Sequence, residues 1–559
     1  MPNSLRLAGL ALACLLTAAS VRAATWTPDP TLGNPAQHRL LYEIGRQWGD
    51  THFDPAAGLV KERIDRPVSQ HLTRESASYA FTLLLTGDPQ DRTLAERIIR
   101  IVLAKQDLRK DQPTYGGFLP IYEDQWNAPT HPDPNYTQFV GLALGQIIDL
   151  DNTQGHLLTP DLRRQLDTAF RITVEATIAR DVEPGYTNIC LISAAVGAAG
   201  DKLLNIPGAR DFAMSKLEWI LTRAQPGATL TEYLCPTYYE VDLIGAYLTR
   251  KFAAGPDIAG AARRTIDFLW QDIAASYHAP TFQLAGPHSR AYGEDMLEYA
   301  AGLKYFIYLA TDGKYPVSSS TGNARGDAGG LATIADLPVH VRPEFSQVPG
   351  PWREIIVAGR GGAMAARQFR QGEFVLGSIN FQSVWQQQKN VVAYWPVLTP
   401  WWHVAFCEDM SPMTFDNAYA HFYSVQNKAT VLVALTGKPP VPVKGGLRLG
   451  FNAQAHAQPG SVPGSWQVSD GDVVAFIYPV STQEVKMTTE SDGRRTCIER
   501  PWASADLAGG TRLLAYILTF QLPGEPPPVV KDVSVKPDGK SALLSANVNG
   551  APLSLRIPQ

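Results

Sequence analysis

At about residue 310 the hydrophobic pattern of the chain changes period, and that change limits the folds open to it. From about 35 to 310 apolar side chains recur every three or four residues in segments such as HRLLYEIGRQW, ESASYAFTLLL, RTLAERIIRIVLAK, YTQFVGLALGQIIDL and NICLISAAVGAAGDKLL. Ten or more such segments with no alternating strands predict an all-helical domain over 24–310. Residues 311–330, TDGKYPVSSSTGNARGDAGG, are rich in Gly and Ser and read as a linker. Beyond them REIIVAGR, EFVLGSINF, ATVLVALTG, VVAFIYPV and TRLLAYILTF are short β-rich runs bounded by Gly, Pro, Asp and Asn. They predict an antiparallel β-sandwich over 331–559. Two domains also suit the length, because 559 residues exceed the roughly 250–300 that one core supports.

The first 23 residues, MPNSLRLAGLALACLLTAASVRA, carry Arg6, an apolar run from Leu7 to Ala19 and a Val-x-Ala site ending at Ala23. This is the pattern of a cleaved secretory signal, and its run falls short of the roughly 20 residues of a membrane span. The expected location is outside the cytoplasm, secreted or periplasmic. A lipid anchor on Cys14 is a weaker alternative, since Ala11 stands where a lipobox usually has Leu. Removing the signal takes away Arg6 and Arg22 and no acid, moving the formal net charge from −4 to −6. A nucleic-acid binder would show the opposite surplus. Cys190, Cys235, Cys407 and Cys497 are scattered, with no Cys/His spacing for zinc; one disulfide is compatible with export, but the sequence does not pair it.

In the helical half the unusual residues collect between helices. The loop YGGFLPIYEDQWNAPTHPDPNY, 115–136, brings Tyr115, Tyr122, Trp126, His131 and Tyr136 among prolines. Aromatic faces there suit stacking on sugar rings, or simply pin a long loop. In GYTN, Asn188 is either a helix N-cap or an amide donor to a substrate carboxylate. TLTEYLCPTYYEVD, 229–242, offers Glu232, Tyr238 and Tyr239 around a Cys-Pro pair. AGPHSRAYGEDM, 285–296, places His288, Arg290 and Tyr292 at alternating positions: a proton acceptor, a bidentate cation and a proton donor. Its alternative reading is a capping cluster at the start of a helix GEDMLEYAAGLKYF.

A helical domain followed by a β-sandwich, with an Asn turn, an acid/Tyr turn and a Gly-x-x-Ser-Arg turn, resembles the polysaccharide lyases built on an incomplete α/α toroid. That group includes hyaluronate and chondroitin AC lyases, heparinase II/III-like enzymes, and alginate and glucuronan lyases. The resemblance covers most of the chain in architecture and three short turns in residues. It implies an acidic polysaccharide substrate, with Asn188 and Arg290 neutralising its carboxylate, and Tyr238 or Tyr239 matching the family tyrosine. Chondroitin AC-type lyases have a His shortly before that Tyr; here Leu234 and Cys235 stand at the comparable positions. EFVLGSINFQSVWQQQKNVVAYW, 373–395, looks like a sheet that lends residues to the cleft in heparinase II/III-like enzymes, which makes Gln382, Trp385, Gln387 and His403 further binding candidates.

Such lyases remove the proton on carbon 5 of a uronate and expel the oxygen on carbon 4. The anion formed at carbon 5 spreads into a carboxylate that is already charged, so neutralising that carboxylate is the first requirement. Tyr292 is the leading general acid, ahead of Tyr239 and Tyr238, His288 is the leading base, and Glu232 holds Arg290 or orients His288. The scheme needs no metal or other cofactor. A glycoside hydrolase is the enzymatic alternative, with Glu123, Asp124, Glu232, Glu240, Glu294 and Asp295 available as paired carboxylates. A non-catalytic glycan-binding protein is the other. The polymer, the mode of cutting and the oligomeric state are not legible.

Overall fold

The computed structural model describes residues 26–62, 70–130, 132–293, 295–298, 301–317, 328–357, 364–383, 387–397, 402–408, 420–437, 445–452, 454–480, 486–489, 495–501 and 512–558. Residues 1–23, read from the sequence as a secretory signal, lie outside them. The chain forms two compact units: one from the described residues of Met1–Thr222, Tyr238–Trp270 and Ala300–Pro343, the other from those of Arg223–Thr237, Gln271–Tyr299 and Glu344–Gln559. The helical region comes first and the antiparallel sheets second, but Arg223–Thr237 and Gln271–Tyr299, from the helical half, group with the sheets.

The helices are α1 (Pro35–His52), α2 (Thr73–Leu84), α3 (Pro89–Leu103), α4 (Tyr136–Thr153), α5 (Pro160–Arg180), α6 (Thr187–Leu204), α7 (Ala209–Arg223), α8 (Tyr239–Lys251), α9 (Pro256–Ser276), α10 (Leu303–Ala310) and α11 (Leu331–Ala335). Their starts follow local rules. Asn34 caps α1 through Ala36 N at 3.2 Å, and Asp88 caps α3 through Gln90 N and Asp91 N at 2.8 and 3.1 Å, each ahead of a proline in the first turn. By contrast α10 begins only at Leu303, so the helix expected over GEDMLEYAAGLKYF is limited to its last part, with Met296–Glu298 forming a turn. No helix among the described residues is long and apolar enough to cross a membrane.

Helices α2, α4, α6 and α8 pack each on the next. Residues from Thr137 to Asp151 of α4 and from Thr187 to Gly200 of α6 are almost all buried, as expected of helices apolar on every side. Small residues let α6 and α8 approach: a Cβ on Gly245 would sit 2.6 Å from the Leu191 carbonyl carbon. The starts of these helices lie together. Thr73 N donates to Pro120 O at 3.1 Å, the Arg74 guanidinium lies 5.4 Å from the Tyr136 ring, and Asn135 Nδ2 donates to Tyr186 OH at 3.0 Å. Loops preceding α2, α4 and α6 therefore gather at one end of this unit.

In the second unit a nine-stranded sheet runs, in spatial order, Lys486–Thr489, Arg495–Pro501, Gly445–Asn452, Trp402–Glu408, Val391–Tyr394, Phe374–Ile379, Ala365–Gln371, Trp352–Val357 and Ala228–Thr229. All its pairs are antiparallel except the last, where Ala228 and Thr229 run parallel to Ile356 and Val357. A seven-stranded antiparallel sheet and a three-stranded one complete the unit. Thr430–Gly437, an inner strand of the seven-stranded sheet between Arg512–Gln521 and Ala420–Asn427, is buried throughout. Its Leu432 and Ala434, with Leu513, Ala515 and Ile517, pack on Leu544, Ala546, Leu553 and Ile557 of the three-stranded sheet. The alternating burial of Ser541–Val548 reflects this one covered face.

Candidate functional site

The turn Ala285–Tyr292 belongs to the second unit and is seated on three neighbouring strands. Gln368, Gly377 and Val392 lie side by side in register. Gln368 Nε2 donates to Ala285 O at 3.0 Å and Gly286 O at 3.1 Å. A Cβ on Gly377 would lie 1.9 Å from Gly286 O, and one on Gly286 would lie 2.7 Å from Val392 Cβ. Both positions thus exclude a side chain because backbone and sheet touch. Past Pro287 the chain pairs like a strand: His288 and Lys389 exchange both backbone hydrogen bonds at 2.9 Å, and Ala291 N donates to Gln387 O at 2.8 Å.

The side chains of this turn lock onto the segment Glu232–Thr237. Arg290 Nη1 donates to Glu232 Oε1 at 2.7 Å and its Nε to Gln387 Oε1 at 3.0 Å, with the Arg290 and Glu232 side chains only 11% and 8% exposed. His288 is buried. Its Nδ1 lies 2.7 Å from Leu234 O, which can only accept, so Nδ1 is the donor there, and its Nε2 lies 3.2 Å from Tyr394 OH. Ser289 Oγ donates to Tyr233 O at 2.8 Å, the Cys235 thiol to Arg290 O at 2.7 Å, and Tyr233 OH to Gln382 Oε1. Leu234 and Cys235, which depart from the lyase pattern, therefore anchor the backbone acceptor for His288 and the carbonyl of Arg290. Leu234 does so at φ 43, a left-handed conformation costly for a leucine. Tyr292 differs from its neighbours: its backbone N meets Thr237 Oγ1 at 3.3 Å while the residue is 47% exposed.

The remaining candidates are placed as follows. Asn188, Tyr238 and Tyr239 belong to the first unit. Asn188 is fully buried in the first turn of α6; the N-cap position is Tyr186, so Asn188 is not the cap. Tyr239 is fully buried and Tyr238 part-exposed at the start of α8. Trp126 and Tyr136 are half-buried on the loop before α4 and at its start, and Lys105 Nζ stands 4.5 Å from the centre of the Tyr122 ring. Gln382 and Gln387 are buried in the second unit. His131, Trp385 and Glu294 lie outside the described residues; His403 pairs with Gly450 and Val392, and its side chain is likewise outside them.

The carboxylates offered for hydrolysis have other partners. Glu123 binds the His71 ring, Asp124 takes Thr130 N at 2.8 Å, Glu240 takes Gly302 N at 2.9 Å and Asp295 takes Gln283 Nε2 at 2.8 Å. Cys190 and Cys235 are buried thiols. Among the described residues no group of three His, Cys, Asp or Glu could hold a metal ion. Sequence reasoning missed Gln368, Gly377, Lys389 and Tyr394. A glycine inside the strand run EFVLGSINF was the one local signal of a close backbone approach.

Among solved structures the chain is similar to heparinase III (10% identity, 97% of this chain and 94% of that one, TM-score 0.47). It is also similar to a mutant of the heparan sulfate lyase HepC from Pedobacter heparinus (12%, 95% and 92%, 0.42) and to a chondroitin AC lyase mutant from Streptomyces coelicolor A3 (11%, 95% and 96%, 0.43). These are polysaccharide lyases of the group that the sequence resembles. The chain itself belongs to the family described as a domain of unknown function, DUF8769, whose model matches residues 39–329. No curated protein matches it in sequence.

Proposed function

We propose that this protein is an exported polysaccharide lyase, with an incomplete α/α toroid and a β-sandwich, that cleaves a uronic-acid polymer by β-elimination. The observation that carries the reading is the contrast inside one turn: Arg290 is fixed by Glu232 and Gln387, while Tyr292, two residues on, is 47% exposed. A proton-transfer group beside a preorganised cation is what elimination next to a carboxylate requires. Gln387 directs its Oε1 to Arg290, so its Nε2 is the donor that turns away. Arg290 and Gln387 supply the positive side of the uronate site, and Tyr292 moves the proton. His288 has both ring nitrogens engaged and is buried, so in this reading it positions the turn through Leu234 and Tyr394 and does not meet carbon 5.

The test is ultraviolet absorbance of the unsaturated uronate while the purified protein is mixed in turn with alginate, glucuronan, hyaluronan, chondroitin and heparan sulfate. A rise with one polymer supports elimination and names the substrate. New reducing ends without that absorbance would make the protein a hydrolase.

A further inference from the structure

A second cluster in the β-rich unit has a charge with no counterpart among the described residues. Arg370, on the strand Ala365–Gln371, is 9% exposed. Its Nη2 donates to Ala275 O at 3.0 Å and Gln368 Oε1 at 3.1 Å, while its Nε and Nη1 are buried with no hydrogen-bond partner among the described residues. The charge acting on it is another cation, Arg353, which lowers its pKa to about 10 after the larger effect of burial; it stays protonated at neutral pH. Arg353 is itself committed to Asp272, with Nη2 to Oδ1 at 2.7 Å, and the other Asp272 oxygen accepts from Thr229 Oγ1 at 2.7 Å. His278, beside them, is 4% exposed, with Nδ1 at 2.8 Å from Thr281 Oγ1 and Nε2 without a partner among the described residues. Burial and the Arg370 charge hold its pKa at about 3, so it adds no charge at neutral pH.

Arginine is almost never this buried unless paired, because removing its charge from water is costly without a counter-ion. Among the described residues no carboxylate bonds to Arg370. We propose that Arg370 is the cation of a buried halide site, with chloride on its Nε or Nη1 edge and His278 Nε2–H as a further donor. Because water barely reaches any of these nitrogens, a monatomic anion is the occupant that asks the least displacement of the surrounding side chains. The site also has a structural reach. Through Gln368, which bonds both Arg370 and the carbonyls of Ala285 and Gly286, an anion would steady the turn that carries His288 and Arg290. Binding itself does not depend on the lyase reading.

The purified protein in chloride-free buffer is titrated with sodium chloride, and separately with sodium sulfate at matched ionic strength, while the thermal midpoint is followed. The expected result is a saturable rise with chloride alone, of roughly 5 °C at about 100 times its Kd, that is absent in R370Q. Equal rises in R370Q and the parent, no saturable rise, or a response to sulfate alone would each overturn the proposal. A second measurement needs no variant: in crystals soaked in sodium bromide, an anomalous peak against the Arg370 guanidinium is expected. Bromide peaks at the surface with none at Arg370 would refute it.

Discussion

Arg290 and Glu232, 58 residues apart in sequence, form a nearly buried ion pair of 2.7 Å. Each group needs the other, because a buried charge left alone costs about 3–5 kcal/mol. E232Q is expected to lower the thermal midpoint and to reduce kcat/KM on the uronate polymer by about 100-fold, and R290Q to do the same. The double substitution should cost little more than either alone, since the two act as one unit. Additive losses in the double-mutant cycle would show that they work separately.

Y292F removes one oxygen from a residue that is 47% exposed. Its thermal midpoint should match the parent, while kcat falls by about 100-fold or more, the range for losing a positioned proton donor. Turnover within a few-fold of the parent would remove Tyr292 from the chemistry.

G377A should fail at the seat of the turn. Its Cβ would meet Gly286 O at 1.9 Å, so either the turn lifts or the strand bends, with a cost of about 1–3 kcal/mol or more. G372A is a poor control because Gly372 has a positive φ, whereas G330A meets nothing within 4 Å and should be mild. Denaturant midpoints compare the two; a neutral G377A would mean the turn is not held there.

His278 sets a pH dependence of stability. Its pKa is near 6.5 when unfolded and about 3 when folded, chiefly through burial. Between those values the unfolded chain binds a proton that the folded chain does not. The contribution is complete above about pH 6.5 and is lost as pH falls toward 3, with a slope on the order of 1 kcal/mol per pH unit. Denaturant midpoints across this window should fall less steeply in H278Q, and parallel curves would refute the assignment.

G245A tests the helical unit by itself. The added Cβ would lie 2.6 Å from the α6 backbone, which cannot yield like a side chain, so a loss of about 1–3 kcal/mol is expected in denaturant unfolding. An unchanged midpoint would mean that α6 and α8 can move apart freely.

Much of the architecture follows from periodicity, which is local. The apolar stripes of α1 to α9 and the β-runs near residues 365–379, 430–437 and 512–521 are each read within a dozen neighbouring residues. The candidate turn was visible as well, because His288, Arg290 and Tyr292 crowd five positions. Their different fates were not. His288 and Tyr292 are both polar by type, yet one is buried against Leu234 and Tyr394 and the other faces solvent, and only pairing with Lys389 and Gln387 distinguishes them.

The sequence alone determined the order of helices and strands, and the residue types gathered in the loops, since both depend on neighbours along the chain. Tertiary structure alone decided that Arg223–Thr237 and Gln271–Tyr299 join the β-rich unit, that Glu232 pairs with Arg290, and that Arg370 is buried beside another cation. Those outcomes rest on hydrogen bonds and desolvation between residues tens of positions apart. No local pattern encodes the distance at which such charges meet or how deeply water is excluded from them.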